Sequence, residues 1–138
     1  LQTNKVKFAI PLFDYIHSLD STKLAEKIAN EQVKKKFKSK IFIQVNIGKE
    51  VQKNGIDIEN LDKFYSDCVK NFNLNIIGLM CLPPNDNTPE KYFYEIQKLA
   101  NKINLTELSM GMTNDYIHAL KYKSTFLRIG SKIFGPRN

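Results

Sequence analysis

Two short stretches near the carboxyl end carry residue types able to bind an anion. One is Ser109-Met110-Gly111-Met112-Thr113. The other is Arg128-Ile129-Gly130-Ser131, which runs on into Lys132-Ile133-Phe134-Gly135. Gly130 lets the backbone approach a bound group closely, and Ser131 offers a hydroxyl. The N–H groups that open a following helix point at the same place. Gly111 can act likewise after the preceding strand. Together these stretches predict a phosphate pocket built from backbone N–H groups and a hydroxyl. Taken alone, Gly130-Ser131 also reads as a plain strand-to-helix turn with a helix cap.

Arg128 sits inside the otherwise apolar run Phe126-Leu127-Arg128-Ile129, two residues before the proposed anion turn. A charge in such a run must be paired or must face a polar cavity. One reading is a salt bridge at the rim of the sheet. The other has Arg128 donate to an acceptor on a ring whose phosphate lies at Gly130 and Ser131. The remaining chemistry is weaker. His17 and His118 have no metal-ligand spacing and assemble no Ser/His/Asp arrangement. Glu50 and Asp57 lie in a loop and form no carboxylate pair at a strand end. Lys53, in that loop, reads either as a reach toward phosphate or as an ordinary loop lysine. Cys68 and Cys81 form no C-x-x-C and sit on apolar stretches, as buried free thiols of a reducing compartment do.

The elements that must position these residues follow from periodicity. Residues 13–17 predict a short strand. Asp20 or Ser21 then caps a helix with Leu24, Ile28 and Ala29 on one side. Residues 41–47 are β-branched and apolar, a buried strand, and a charged loop over 48–58 follows. Asn60 caps a helix whose face is Leu61, Phe64, Tyr65, Cys68, Val69 and Phe72. Residues 74–82 form another strand, which Pro83-Pro84 ends because proline has no N–H for the ladder. Thr88 caps the next helix, with Pro89 at its first position and Ile96, Leu99, Ala100 and Ile103 on its apolar face. Residues 107–109 form a strand, Thr113 opens a short helix, residues 125–129 form the last strand, and Ser131 starts a final turn.

Strands alternating with helices demand parallel pairing and right-handed crossovers. An open doubly wound sheet and part of a (β/α)8 barrel both fit. Five strands are too few to close a barrel of about 250 residues. In either fold, ligands sit at the carboxyl ends of the strands, where Asn46, Met80, Ser109 to Thr113 and Arg128 to Ser131 fall. No composition break divides residues 1–138, so a single domain is expected. The first residue is Leu1, not Met, so a truncated amino terminus is expected.

The net charge is +7, carried mainly by lysine, with Arg128 and Arg137 the only arginines. Readers of nucleic acid favour arginine for its planar fork, so the charge argues against that class. Lys34-Lys35-Lys36-Phe37-Lys38-Ser39-Lys40 reads as a solvated helix end in which lysine complements the helix dipole. No apolar run is long enough to span a membrane, and no secretory signal pattern opens the chain.

Five motifs in order carry a resemblance. Leu1-Gln2-Thr3-Asn4-Lys5 is similar to L-Q-x-N-K. Asn46, Glu50, Lys53 and Gly55 fall on N-x-x-x-E-x-x-K-x-G, and Gly78-Leu79-Met80 matches a G-L-M strand. Ser109 to Asp115 matches S-M-G-M-S-x-D with Thr113 for Ser. Arg128 to Gly135 matches R-I-G-[TS]-x-I-F-G. The chain resembles the carboxyl-terminal part of the pyridoxal phosphate homeostasis proteins, a group related to the barrel domain of alanine racemase. The resemblance implies a partial (β/α)8 barrel that binds pyridoxal 5′-phosphate at its carboxyl face. Its cofactor-binding residues would be Ser109, Met110, Gly111, Met112, Thr113, Arg128, Gly130 and Ser131, with Asn46 and Met80. Ser109, Gly130 and Ser131 would help hold the phosphate, and Arg128 would face the pyridine nitrogen. The family's Schiff-base lysine lies in a V-[ST]-K context that occurs nowhere here, and Lys5 belongs to a different motif. That lysine is therefore expected upstream of Leu1, within three missing strand–helix units. The implied role is cytoplasmic cofactor homeostasis without strong turnover, with cofactor-dependent apoenzymes as partners. An amino-acid racemase of the same barrel type is the alternative, and a basic nucleic-acid binder is a more distant one.

Overall fold

The computed structural model describes residues 1–51 and 54–136. Lys53 and Arg137 fall outside the described residues. The chain starts with a 3-10 turn, Thr3–Lys5, and α1, Val6–Ala9. Five strands then alternate with helices: β1 Tyr15–Leu19, α2 Thr22–Lys35, β2 Lys40–Val45, α3 Leu61–Lys70 and β3 Asn75–Cys81. These are followed by α4 Pro89–Lys102, β4 Glu107–Met112, α5 Tyr116–Lys121, β5 Phe126–Arg128 and α6 Ser131–Phe134.

All neighbouring strands pair in parallel, and the sheet order is β1-β2-β3-β4-β5. A doubly wound sheet reverses its order at a switch point. This sheet runs in chain order throughout, as barrel strands do, and five strands make a partial barrel. Alternation along β2 sorts the two faces. Ile41, Ile43 and Val45 join the core with Leu24, Ile28, Phe64, Cys68, Phe93 and Ile96 of the helices. Phe42 instead meets His17 and Phe126 on the opposite, inner face. Among the described residues no helix is long and apolar enough to cross a membrane.

Several boundaries differ from the sequence expectation, each for a local reason. The first strand starts two residues later than expected, because Phe13 belongs to the corner after α1. Its carbonyl accepts the Ser39 hydroxyl at 3.1 Å, and its ring is 56% exposed. The strand also runs two residues past His17, to Leu19, which registers with Ile43 of β2. α1 is too short for a periodic signal, yet Val6 and Ile10 are fully buried where it packs on α2. Ser21, not Asp20, caps α2, accepting from the Leu24 N–H at 3.2 Å. A 3-10 turn at Ile58–Asn60 leads into α3, so the Asn60 side chain makes no cap bond, and Val69 lies at the exposed margin of the helix. Thr88 does not cap α4. Its hydroxyl donates instead to Asp86 Oδ1 at 2.6 Å, and Pro89 does take the first helical position. The lysines at the end of α2 and beyond are exposed, and Phe37 between them packs on the core.

Candidate functional site

β4 runs to Met112 rather than stopping at Ser109, because Ser109 registers with Phe126 and Met112 with Arg128 across the β4–β5 ladder. The two chemical stretches are thereby side by side. Thr113 does not open α5. Asp115 occupies the cap position and accepts the Met112 N–H at 2.7 Å, and the helix starts at Tyr116. Thr113 Oγ1 instead receives the Lys132 N–H at 3.4 Å, tying the β4 corner to the first turn of α6.

Between these corners and the loop after β3 lies an open cleft of about 960 Å³. Met112, Thr113, Arg128, Gly130 and Ser131 all line it, opposite Pro83 and Pro84. Gly130 is the residue before α6, and a Cβ placed on it would meet nothing within 4 Å. Ser131 is exposed, and its hydroxyl makes no hydrogen bond among the described residues. This end of the cleft therefore offers, among the described residues, an uncommitted hydroxyl and the uncommitted N–H groups of Gly130 and Ser131 beside empty space, which suits an anion. The next N–H groups are committed to Thr113 and to the Gly130 carbonyl.

Gly111 serves a different purpose. Its φ is +96°, and a Cβ there would lie 2.8 Å from Ala119 Cβ and 3.0 Å from Tyr116 Cα. What this glycine makes room for is α5. The Met110 side chain belongs to the core on the helix side of the sheet. Asn46 is spent on its own loop. Its Nδ2 donates to the Glu50 carbonyl at 3.0 Å, and its Oδ1 accepts the Glu50 N–H at 3.1 Å. Met80 is buried, registered with Gln44 on one side and Ser109 on the other. Neither Asn46, Met80 nor Met110 lines the cleft.

Arg128 reaches back across the sheet from the cleft. Nη1 donates to Ser109 Oγ at 2.5 Å and Nη2 to the Cys81 carbonyl at 2.8 Å. Among the described residues no carboxylate pairs with it, so the rim salt bridge is not what holds it. Burial lowers its pKa, and the nearby thiol of Cys81 and carboxylate of Asp115 oppose that shift. An arginine stays charged throughout, and two bonds leave further N–H donors uncommitted. A half-buried cation with unsatisfied donors beside a cleft is poised for an acceptor.

Sequence reasoning passed over His17. Its Nδ1 lies 2.7 Å from Ser109 Oγ, the same atom that Arg128 contacts. The ring stacks on Phe42, with centroids 4.4 Å apart and planes at 19°, and presents an edge to Phe126 at 5.3 Å. Burial, then Arg128, lowers its pKa. Ser109 and Arg128 each stand between apolar strand neighbours, but His17 is followed by the polar Ser18 and carries no such signal. Spacing within one motif cannot show that three separate strands bring them together. The buried thiols of Cys68 and Cys81 are free and pushed up to about 12, chiefly by burial.

Comparison with known proteins bears on the same region. A pyridoxal phosphate homeostasis protein of Aquifex aeolicus is 36% identical over 146 residues, covering 99% of this chain and 64% of that protein. One from Haemophilus influenzae is 33% identical over 148 residues, covering 100% of this chain and 62% of that protein. The chain thus spans less than two thirds of the length of these relatives. The structure of PipY from Synechococcus elongatus with pyridoxal phosphate bound superposes with a TM-score of 0.88 at 31% identity, covering 98% of this chain and 67% of that one. Diaminopimelate decarboxylase of Helicobacter pylori shares the fold alone, with a TM-score of 0.63 at 14% identity. The family model described as alanine racemase, N-terminal domain, matches residues 2–138. The chain belongs to the alanine racemase N-terminal domain family.

Proposed function

We propose that this chain forms the phosphate-holding side of a pyridoxal 5′-phosphate site in a cofactor homeostasis protein. The observation that carries the reading is the Arg128 guanidinium. It is half-buried, held by Ser109 and the Cys81 carbonyl, free of any carboxylate among the described residues, and belongs to a residue that lines the same cleft as Gly130 and Ser131. The relatives' names and the cofactor in PipY support the same ligand. The Ser131 hydroxyl and the N–H groups of Gly130 and Ser131 would hold the phosphate, and Thr113 would fix that turn through the Lys132 N–H. Gly130 would leave the room a phosphate oxygen needs. Arg128 would direct an N–H at the pyridine nitrogen. Ser109, expected to touch the phosphate, instead serves Arg128.

The cofactor, when bound, supplies an aldehyde and an aromatic ring able to accept electrons. A cation at the ring nitrogen keeps a proton off that atom, which makes the ring a weaker electron sink than one paired with a carboxylate. That favours storage and delivery over vigorous catalysis. On this reading the protein is cytoplasmic and gives its cofactor to apoenzymes that require it. Equilibrium dialysis of wild-type and Ser131→Ala protein against pyridoxal phosphate tests the assignment. Loss of one charge-assisted hydrogen bond is worth about 1.5–3 kcal/mol, which is roughly a tenfold or greater loss of affinity. Equal affinity of the two proteins refutes the phosphate site.

A further inference from the structure

Ser109 is fully buried and central to three strands. Its Oγ contacts Arg128 of β5 on one side and His17 of β1 on the other. Arginine can only donate, so Oγ accepts from Nη1. A serine hydroxyl has a single proton to give, and His17 Nδ1, at 2.7 Å, is its partner. The bonds are satisfied when Nδ1 is the acceptor and Nε2 carries the imidazole proton. A proton on Nδ1 would make His17 a second donor into Oγ and leave the serine proton without an acceptor. A doubly protonated ring would also set a second cation on the atom that already receives Arg128. Among the described residues Arg128 is the one charged group that acts on His17. Its other neighbours are the rings of Tyr15, Phe42 and Phe126.

Phe42 and Phe126 fix the imidazole plane from a face and an edge, so Nδ1 has little freedom to leave Ser109. We propose that His17 is a positioning residue: acting through Ser109, with Nδ1 as acceptor, it fixes the Arg128 guanidinium toward the ring nitrogen of the bound pyridoxal ester. This rests on the proposed function for the identity of the ligand. The orientation of the relay itself rests on the protein alone. It also explains why a histidine stands where packing on Phe42 needs only an aromatic ring. Phenylalanine would fill that place but could not accept the serine proton.

Two variants separate positioning from packing. His17→Phe keeps the ring and removes the acceptor. His17→Asn removes the ring and keeps an oxygen near the place of Nδ1. Positioning predicts that His17→Phe lowers affinity for pyridoxal phosphate roughly two- to tenfold, as loss of one neutral hydrogen bond does, and shifts the absorption spectrum of the bound cofactor. His17→Asn then stays nearer to wild type in both. A packing role predicts the reverse order, and that order overturns the inference. Nitrogen NMR of the imidazole in cofactor-free wild-type protein supplies a readout that needs no variant and no ligand. It is expected to show Nδ1 unprotonated and Nε2 protonated, and a proton on Nδ1 overturns the inference. If circular dichroism shows His17→Phe to be unfolded, Ser109→Ala cuts the same relay and is expected to give the same affinity loss and spectral shift. Wild-type binding with Ser109→Ala unchanged in both overturns the inference. Failure of the wild-type protein to bind pyridoxal phosphate would instead refute the proposed function, with the tautomer still deciding how Ser109 is oriented.

Discussion

The same substitution at two glycines should have opposite consequences. Gly111 has a φ of +96°, and an added Cβ would sit 2.8 Å from Ala119 Cβ and 3.0 Å from Tyr116 Cα. Gly130 has a φ of −120°, and its Cβ would meet nothing within 4 Å. For Gly111→Ala, a sparsely populated backbone conformation costs about 1–3 kcal/mol. Forcing a methyl against the fixed backbone and methyl group of α5 costs about 1–3 kcal/mol more. The sum, about 2–6 kcal/mol, is a large share of the roughly 5–15 kcal/mol that holds a domain folded. Gly130→Ala carries no such cost and restricts the unfolded chain, so stability should stay level or rise by about 0.4–1 kcal/mol. Its methyl would nevertheless fill the space that the proposed site needs for a phosphate oxygen. Urea unfolding followed by circular dichroism measures the first effect, and dialysis against pyridoxal phosphate the second. The expected pattern is a markedly lower midpoint for Gly111→Ala, with an unchanged midpoint and weakened binding for Gly130→Ala. A tolerated Gly111→Ala together with a Gly130→Ala protein that binds as wild type would refute the division of labour between these corners.

Two further outcomes follow from titration. The folded state lowers the His17 pKa below its ordinary value, so the unfolded chain binds a proton there more readily as pH falls. Stability from this group is present above the unfolded value of about 6.5 and is lost as pH falls toward the lowered one. The urea midpoint should decline from pH 7 to pH 5, and His17→Phe should flatten that slope; parallel slopes would exclude His17 as the source. Cys68 and Cys81 are buried with thiols pushed up to about 12, so at pH 8 the folded protein should resist a thiol reagent that labels both sites in denaturant. Rapid labelling of folded Cys81 would contradict its place beneath Arg128.

Much of the fold was legible because its signals are local and repeated. The face of α3, the proline-bounded end of β3 and the alternation of strand with helix each lie within one window of sequence. Boundaries slipped where a tertiary partner decided them. Phe13 is apolar but belongs to a corner, and Thr88 has a better partner in Asp86 than in the helix N–H groups. β4 extends to Met112 only because β5 lies beside it. The site divides in the same way. Arg128 announced itself as a charge on an apolar strand, and Gly130-Ser131 as a strand-to-helix corner. Asn46 and Gly111 fit a ligand-binding pattern equally well in sequence, yet geometry assigns one to loop closure and the other to packing of α5. His17 was invisible for the converse reason, since its role exists only where β1, β4 and β5 share an inner face.

The proposed site sets the guanidinium of Arg128 against the pyridine nitrogen. Nitrogen NMR of pyridoxal phosphate labelled at that atom, bound to wild-type and to Arg128→Glu protein, measures this directly. An unprotonated ring nitrogen is expected in the wild type and a protonated one opposite glutamate. A wild-type ring nitrogen that is protonated, or a resonance that does not respond to the substitution, would contradict that placement.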